Sequence, residues 1–185
     1  MSVESPDPSG TKVSGSKPSG PKPFNPKAPP SIWRNPIHFL AFGFGSGAIP
    51  VAPGTFGTLV AVPMVWWLQP LTLWAYLTVT IAVTVVGIWL CHVTSRDLGV
   101  HDHSGIVWDE IAGYLITMIA APPGWQWMVV GFVLFRFFDI LKPWPIGWAD
   151  RRVQGGLGIM LDDVLAALFA WLVLQGMALI IVKWI

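Results

Sequence analysis

The chain has 185 residues, of which 54% are hydrophobic and 11% charged, against roughly a quarter charged in an ordinary soluble domain, and this balance excludes water as its only solvent. A formal net charge of +1, with Lys and Arg spread over a tail and several short loops, excludes a nucleic-acid-binding face. One cysteine, Cys91, excludes an intrachain disulfide framework and reads as a small apolar filler at a helix end.

Of the first 30 residues, 21 are Pro, Ser, Gly or Lys, a composition that cannot bury enough apolar surface to order itself, so residues 1–35 read as a disordered basic tail. No apolar core follows a short basic start, so the tail is not a signal peptide. Residues 36–185 read as an all-α, polytopic membrane bundle. Four segments have the composition of spans: Leu71 to Cys91, Ile106 to Ala121, Trp125 to Leu141 and Ile159 to Val182. The second is short against the roughly 20 apolar residues a span needs. A fifth, weaker candidate runs from Val51 to Leu68 and is interrupted by Pro53, Gly54 and Pro63; it spans, re-enters or lies in the interface. If it spans, Arg34, Arg96, Lys142, Arg151 and Arg152 all fall on one side, which the positive-inside rule makes cytoplasmic. The tryptophans near the proposed helix ends, such as Trp66, Trp67, Trp125 and Trp144, fit interfacial anchoring.

Eight of the ten acids are Asp97, Asp102, Asp109, Glu110, Asp139, Asp150, Asp162 and Asp163, and all map to the cytoplasmic ends of helices or the loops between them. Three separate helices thus bring carboxylates to similar depth, where an ionisable group is a functional candidate by default. Loop acids such as Asp97 and Asp150 are weaker evidence, because a solvated carboxylate costs nothing. Arg136, Asp139 and Lys142 recur at intervals of three and share one helix face before Pro143 and Pro145 break it. The same spacing also fits an internal ion-pair stripe that steadies the helix end. Gly113 follows Asp109 by four, and Ala166 and Ala167 follow Asp162 and Asp163; such small residues allow close backbone approach.

The eight acids against Arg96, Arg136, Lys142, Arg151 and Arg152 leave a formal charge of minus three, which would repel a phosphate monoester unless a cation intervened. Magnesium suits this need, since it takes one or two carboxylates together with phosphate oxygens. No Cys or His spacing suggests zinc; His101 and His103 read as solvated loop residues. The glycine-rich run Gly43 to Gly47, followed by Pro53 to Thr58, could approach a phosphate with backbone N–H groups, although it matches no nucleotide-binding fingerprint and equally fits structural punctuation.

Four blocks carry a family resemblance: Pro53-Gly54-Thr55-Phe56-Gly57; Ile106-Val107-Trp108-Asp109-Glu110 with Gly113; Arg136 through Pro145; and Gly155 through Asp163. In that order they resemble phosphatidylglycerophosphatase A over residues 36–180. The resemblance implies a magnesium-dependent enzyme of the bacterial inner membrane that dephosphorylates phosphatidylglycerophosphate, its site facing the cytoplasm and its partners a phospholipid and the membrane. On this basis Asp109, Glu110, Asp162 and Asp163 are assigned to the metal, with Asp139 a further carboxylate of the catalytic set, and Arg136, Lys142 and Arg151 to the phosphate. Hydrolysis by a metal-activated water and a carboxylate nucleophile forming an aspartyl phosphate both fit these residues. From other classes, a small ion-coupled transporter would also place paired carboxylates in helices, but near the midplane. A purely structural subunit would leave the acids unexplained, and a phosphatase for another lipid phosphate would need similar metal chemistry.

Overall fold

Seven helices carry the chain through the computed structural model, which describes residues 28–100, 103–153 and 155–184. They are α1 (Pro36–Ala41), α2 (Pro53–Leu68), α3 (Leu73–Leu98), α4 (Trp108–Thr117), α5 (Trp125–Leu141), α6 (Ile146–Arg152) and α7 (Gly155–Trp184), with 3-10 turns at Pro30–Trp33 and Ser46–Ala48. The all-α expectation holds among these residues.

Local chemistry sets the boundaries. Asn35 caps α1 by accepting from the Ile37 N–H at 3.0 Å, with Pro36 in the first turn where its missing N–H costs nothing. Thr72 caps α3 in the same way through Ala75, and Gly99, at φ +66°, closes it in the left-handed conformation that glycine adopts without penalty. These signals carry α3 to Leu98, beyond the predicted end at Cys91, which is buried inside the helix rather than at its end. Val51–Leu68 resolves into a helix that begins at Pro53 and continues through Pro63. The Trp125–Leu141 segment is helical over its predicted length, and the last helix starts at Gly155, ahead of Ile159.

The segment Ile106 to Ala121 departs most from expectation. Its helix, α4, has 10 residues and is therefore about 15 Å long, half of the roughly 30 Å hydrocarbon layer. Eight of the ten are buried, so α4 is the core of the bundle rather than one of its walls. Polar side chains fasten its neighbours to it: Tyr76 of α3 donates to the Leu115 carbonyl at 2.9 Å, Trp108 to Val83 of α3 at 3.0 Å, and Tyr114 to Met128 of α5 at 2.8 Å. Trp171 and Gln175 of α7 both donate to the Ile119 carbonyl just beyond α4. Gly87 of α3 stands where a Cβ would meet Trp108 at 2.6 Å and Met160 at 2.9 Å, which lets α3, α4 and α7 close on one another.

Among the described residues, α3 and α7 are the two helices long and apolar enough to cross a membrane unaided, against the four or five expected. The outer surface is nevertheless apolar, with Ile81, Trp89, Val133, Leu172, Leu179 and Ile180 all more than half exposed, while Asp109, Asp162 and Asp163 are buried. At one end the Gln69 amide donates to the Pro122 carbonyl, joining the two uncharged turns. The charged termini of α3, α5 and α7 gather at the other. The chain preceding α1 belongs to the packed domain: Ile32 is fully buried, Ala28 packs against the core, and Ser31 reaches His38. Apolar residues among the prolines thus extend the ordered region to the N-terminal side of the compositional boundary at residue 35. Residues 1–27 of the predicted tail lie outside the described residues.

Candidate functional site

Three helix ends converge at the charged end of the bundle. The first turn of α4 supplies Asp109 and Glu110, the end of α5 supplies Arg136, Asp139 and Lys142, and the second and third turns of α7 supply Asp162 and Asp163. Oxygen atoms of Asp109, Glu110 and Asp163 lie within 4.8 Å of one another, and so do those of Asp139, Asp162 and Asp163. Every carboxylate singled out from the sequence as catalytic or metal-binding is therefore in one cluster.

Small residues make this convergence possible. A Cβ on Gly113, one turn after Asp109, would meet the Phe135 ring of α5 at 2.6 Å and the Asp163 carbonyl of α7 at 3.3 Å. Ala166 and Ala167 are fully buried one turn beyond Asp162 and Asp163. From the opposite side, the first turn of α2 brings Gly54 against the Glu110 carboxylate, with Arg136 Nη1 3.1 Å from where its Cβ would stand. The Pro53-Gly54-Thr55 run thus abuts the carboxylate cluster itself.

Basic groups interleave with the acids. Arg136 Nη1 lies 2.7 Å from Asp139 Oδ2 on its own helix and 3.8 Å from Glu110 Oε1 on α4, while Lys142 Nζ reaches Asp162 Oδ2 on α7 at 2.6 Å. The predicted face of α5 is accordingly both things at once, an i,i+3 pair within the helix and a set of bridges to its neighbours. Lys142 stands just past the last helical residue, in the left-handed conformation at φ +42°, and from there it crosses to α7 instead of continuing the stripe. Arg151, the third predicted phosphate ligand, lies outside the residues whose side chains are described; its neighbour Arg152 places its guanidinium 5.9 Å from the Trp148 ring centre.

Five carboxylates against two cations in a buried site would, when ionised, leave negative charge that is costly away from water unless a cation, a proton or hydrogen bonds neutralise it. Asp163 is 3% exposed and its Oδ2 is buried with no hydrogen-bond partner among the described residues; Glu110 Oε2 is in the same state. A hard divalent cation fits this all-oxygen donor set, whereas a soft or borderline metal would call for sulfur or imidazole.

Two residues behave differently from their sequence reading. Asp97 sits in the last turn of α3 and accepts from His38 Nε2 of α1 at 3.3 Å, with Arg96 at 3.1 Å, so it is a paired, partly exposed acid at a helix end rather than an unpartnered loop acid. The other nitrogen of the buried His38 ring pairs with Ser31 Oγ at 3.0 Å. His103 is likewise buried, accepting from the Gly105 N–H at 3.0 Å with its ring tilted against that of Phe42 at 5.3 Å, while His101 lies outside the described residues. The contact of Gly54 with Glu110 and the bridge from Arg136 to Glu110 went unread in the sequence; the Pro-Gly start of an apolar helix was their available signal.

Comparison with known proteins accords with this geometry. A family model described as phosphatidylglycerophosphatase A matches residues 39–178. Phosphatidylglycerophosphatase A of Escherichia coli (strain K12) is 49% identical over 138 residues, covering 74% of this chain and 80% of that protein. The Haemophilus influenzae protein of the same name is 50% identical over 141 residues, covering 75% and 86%. A Bacteroides thetaiotaomicron relative, 38% identical over 141 residues, covering 71% and 87%, carries the provisional name phosphatidylinositol-3-phosphatase. No solved structure matches the chain. With four ordered sequence blocks meeting in one carboxylate cluster and half-identical relatives along most of its length, the chain belongs to the phosphatidylglycerophosphatase A family of phosphatases.

Proposed function

We propose that the chain hydrolyses the terminal phosphomonoester of phosphatidylglycerophosphate to phosphatidylglycerol and inorganic phosphate, using Mg²⁺ held by Asp109, Glu110, Asp162 and Asp163 with Asp139 adjoining, at the cytoplasmic face of the bacterial inner membrane. The observation that carries this reading is the meeting of five carboxylates and two bases from three helices at one end of a bundle whose outside is apolar. Such an end suits a lipid headgroup, because the diacyl tails need only the flanking apolar surface.

Each residue has a share in the reaction. The carboxylates hold the cation, which when bound polarises the phosphoryl oxygens and lowers the pKa of water. Arg136 presents a planar fork of donors to two phosphate oxygens, and Lys142 adds a point charge on a flexible stem. Both already lie within contact distance of carboxylates, so an incoming phosphate exchanges one anionic partner for another and these cations need little reorganisation. The first turn of α2 packs Gly54 onto Glu110 and fixes that carboxylate against drift. In the membrane, α2, α5 and the buried α4 complete the bundle that α3 and α7 anchor, with Arg96, Lys142 and Arg152 on the inside according to the charge asymmetry.

Phosphate release by the purified protein from phosphatidylglycerophosphate, phosphatidate, phosphatidylinositol 3-phosphate and a polyprenyl diphosphate, with and without Mg²⁺, tests the reading. Preference for phosphatidylglycerophosphate with strict Mg²⁺ dependence is expected. Preference for phosphatidylinositol 3-phosphate would transfer the chain to the substrate in the Bacteroides relative's name, and transport without hydrolysis would overturn the enzyme reading.

A further inference from the structure

The two carboxylate triads share one member. Asp109, Glu110 and Asp163 form the first, Asp139, Asp162 and Asp163 the second, each with its oxygens within 4.8 Å. Asp163 is also the most deeply buried of the five acids, 3% exposed, and its Oδ2 has no hydrogen-bond partner among the described residues. A carboxylate has two oxygens, and one placed where two donor sets overlap can serve both. We propose that the cluster is a two-cation centre bridged by Asp163, in which the Asp109–Glu110–Asp163 position fills first and the Asp139–Asp162–Asp163 position fills only when phosphate arrives. This rests on the metal-centre reading above and adds the number of ions, the bridge and the order of filling.

Charge supports two ions. With the carboxylates deprotonated, as metal ligation requires, the five of them against Arg136 and Lys142 leave a formal minus three, and a phosphomonoester adds up to about minus two at neutral pH. One divalent cation would leave the loaded site at minus three, and a second brings it to minus one, near neutrality for a buried site. Paired cations bridged by carboxylate are also an arrangement that clamps both oxygens of an in-line phosphoryl displacement.

The order follows from the ion pairs. In the second triad, Asp139 and Asp162 are held by Arg136 and Lys142 at 2.7 and 2.6 Å, so a metal ion there competes with a guanidinium and an ammonium at close range. The basic contact to the first triad, Arg136 to Glu110, is longer at 3.8 Å, and competition there is weaker. A phosphate that takes Arg136 and Lys142 as its own partners frees Asp139 and Asp162. Phosphate and the second ion thereby favour each other, and thermodynamic linkage makes the effect reciprocal, of the 5- to 150-fold size usual for coupled sites, roughly.

The test uses the full chain in detergent micelles with Mn²⁺ as the probe, read by equilibrium dialysis and by electron paramagnetic resonance, with inorganic phosphate or vanadate as the anion. One Mn²⁺ per chain is expected without the anion, and two with it, the second giving an exchange-coupled spectrum that a shared carboxylate produces. In Lys142→Met the second ion should bind without the anion, its half-saturation falling about tenfold or more. Asp139→Asn should keep the first ion and lose the second, while Asp163→Asn should lose the coupling. Binding of no Mn²⁺ under any condition would refute the metal-centre reading itself. One ion with and without anion, two uncoupled ions, or two ions regardless of anion would refute the shared, ordered centre while leaving a metal centre standing. Because the wild-type stoichiometry alone separates these outcomes, the test survives a variant that fails to fold.

Discussion

Gly54 lies so close to the Glu110 carboxylate that a methyl group on its Cα would overlap Oε1. The first turn of α2 is therefore a wall of the site, and glycine is required there for its lack of a side chain and not for its backbone angles. Gly54→Ala should displace Glu110 and Arg136 together, and a displacement of about 1 Å in positioned groups costs on the order of a hundredfold in rate. Gly176→Ala is the matched control, since a Cβ there meets nothing within 4 Å. Phosphate release by the two purified variants checks this; equal activity would mean that α2 yields freely and does not fix the site.

The contact between Lys142 and Asp162 makes their substitutions interdependent. Asp162→Asn and Lys142→Met should each cost roughly a hundredfold to a thousandfold in rate, the scale for losing one well-placed charged contact. The double variant should fall short of the product of the two losses, because each single change strands its partner's charge. A multiplicative double loss would show that the two groups act independently.

The carboxylate cluster was legible in the sequence because charge in apolar segments is costly, so acids placed at the ends of three helices stand out whatever the packing. The register of small residues pointed to the approach of α4 to α7, with Gly113 facing the Asp163 backbone. What the sequence withheld was length and partnership. Ile106 to Ala121 has the composition of a short span, but Ala120 at φ +53° and the Pro122-Pro123 pair cut its helix to ten residues, and composition cannot say that the remainder is wrapped on every side. Asp97 read as a solvated loop acid because its partner, His38, lies 59 positions away. Such pairings depend on tertiary contacts that no local pattern encodes.

His38→Phe removes both bonds of a buried imidazole, to Ser31 and to Asp97. Phenyl is somewhat larger than imidazole at this buried position, while Asp97 retains Arg96 as a partner and has a side chain 34% exposed, so a modest loss of stability is expected. The thermal midpoint should drop while turnover per folded molecule stays the same. A fall in turnover at unchanged stability would tie the α1–α3 junction to catalysis.

Reporters fused after Arg96 or Arg152 should read cytoplasmic, and one inserted between Pro122 and Gly124 should read periplasmic. The motive is the contrast between the charged end and the uncharged turns joined through Gln69. Opposite readings would put the carboxylates on the far side from a cytoplasmic lipid substrate.

Deleting residues 1–27 should leave most hydrolysis intact, since the segment carries none of the blocks that meet at the site. Deleting 1–35 should be far more damaging, because Ile32 is fully buried and Ser31 bonds His38. Thermal midpoints and activity of the two truncations distinguish them; equal behaviour would show the 3-10 turn at Pro30–Trp33 to be dispensable.

The burial of α4 also constrains biogenesis. At mid-bilayer a lone acid costs about 2.5–3.5 kcal/mol on insertion scales, and a ten-residue helix opening with Asp109 and Glu110 has little apolar length to offset two of them. At roughly 5–20 residues per second of synthesis, Asp163 follows Asp109 by about 3–11 s. On the proposed topology the nascent α4 has only α2 and α3 beside it during that interval, so its acids wait at the headgroup boundary until α5 delivers Arg136 and α7 closes over them. Insertion and assembly of the carboxylate cluster are on this account a single event, completed only when α7 has left the ribosome.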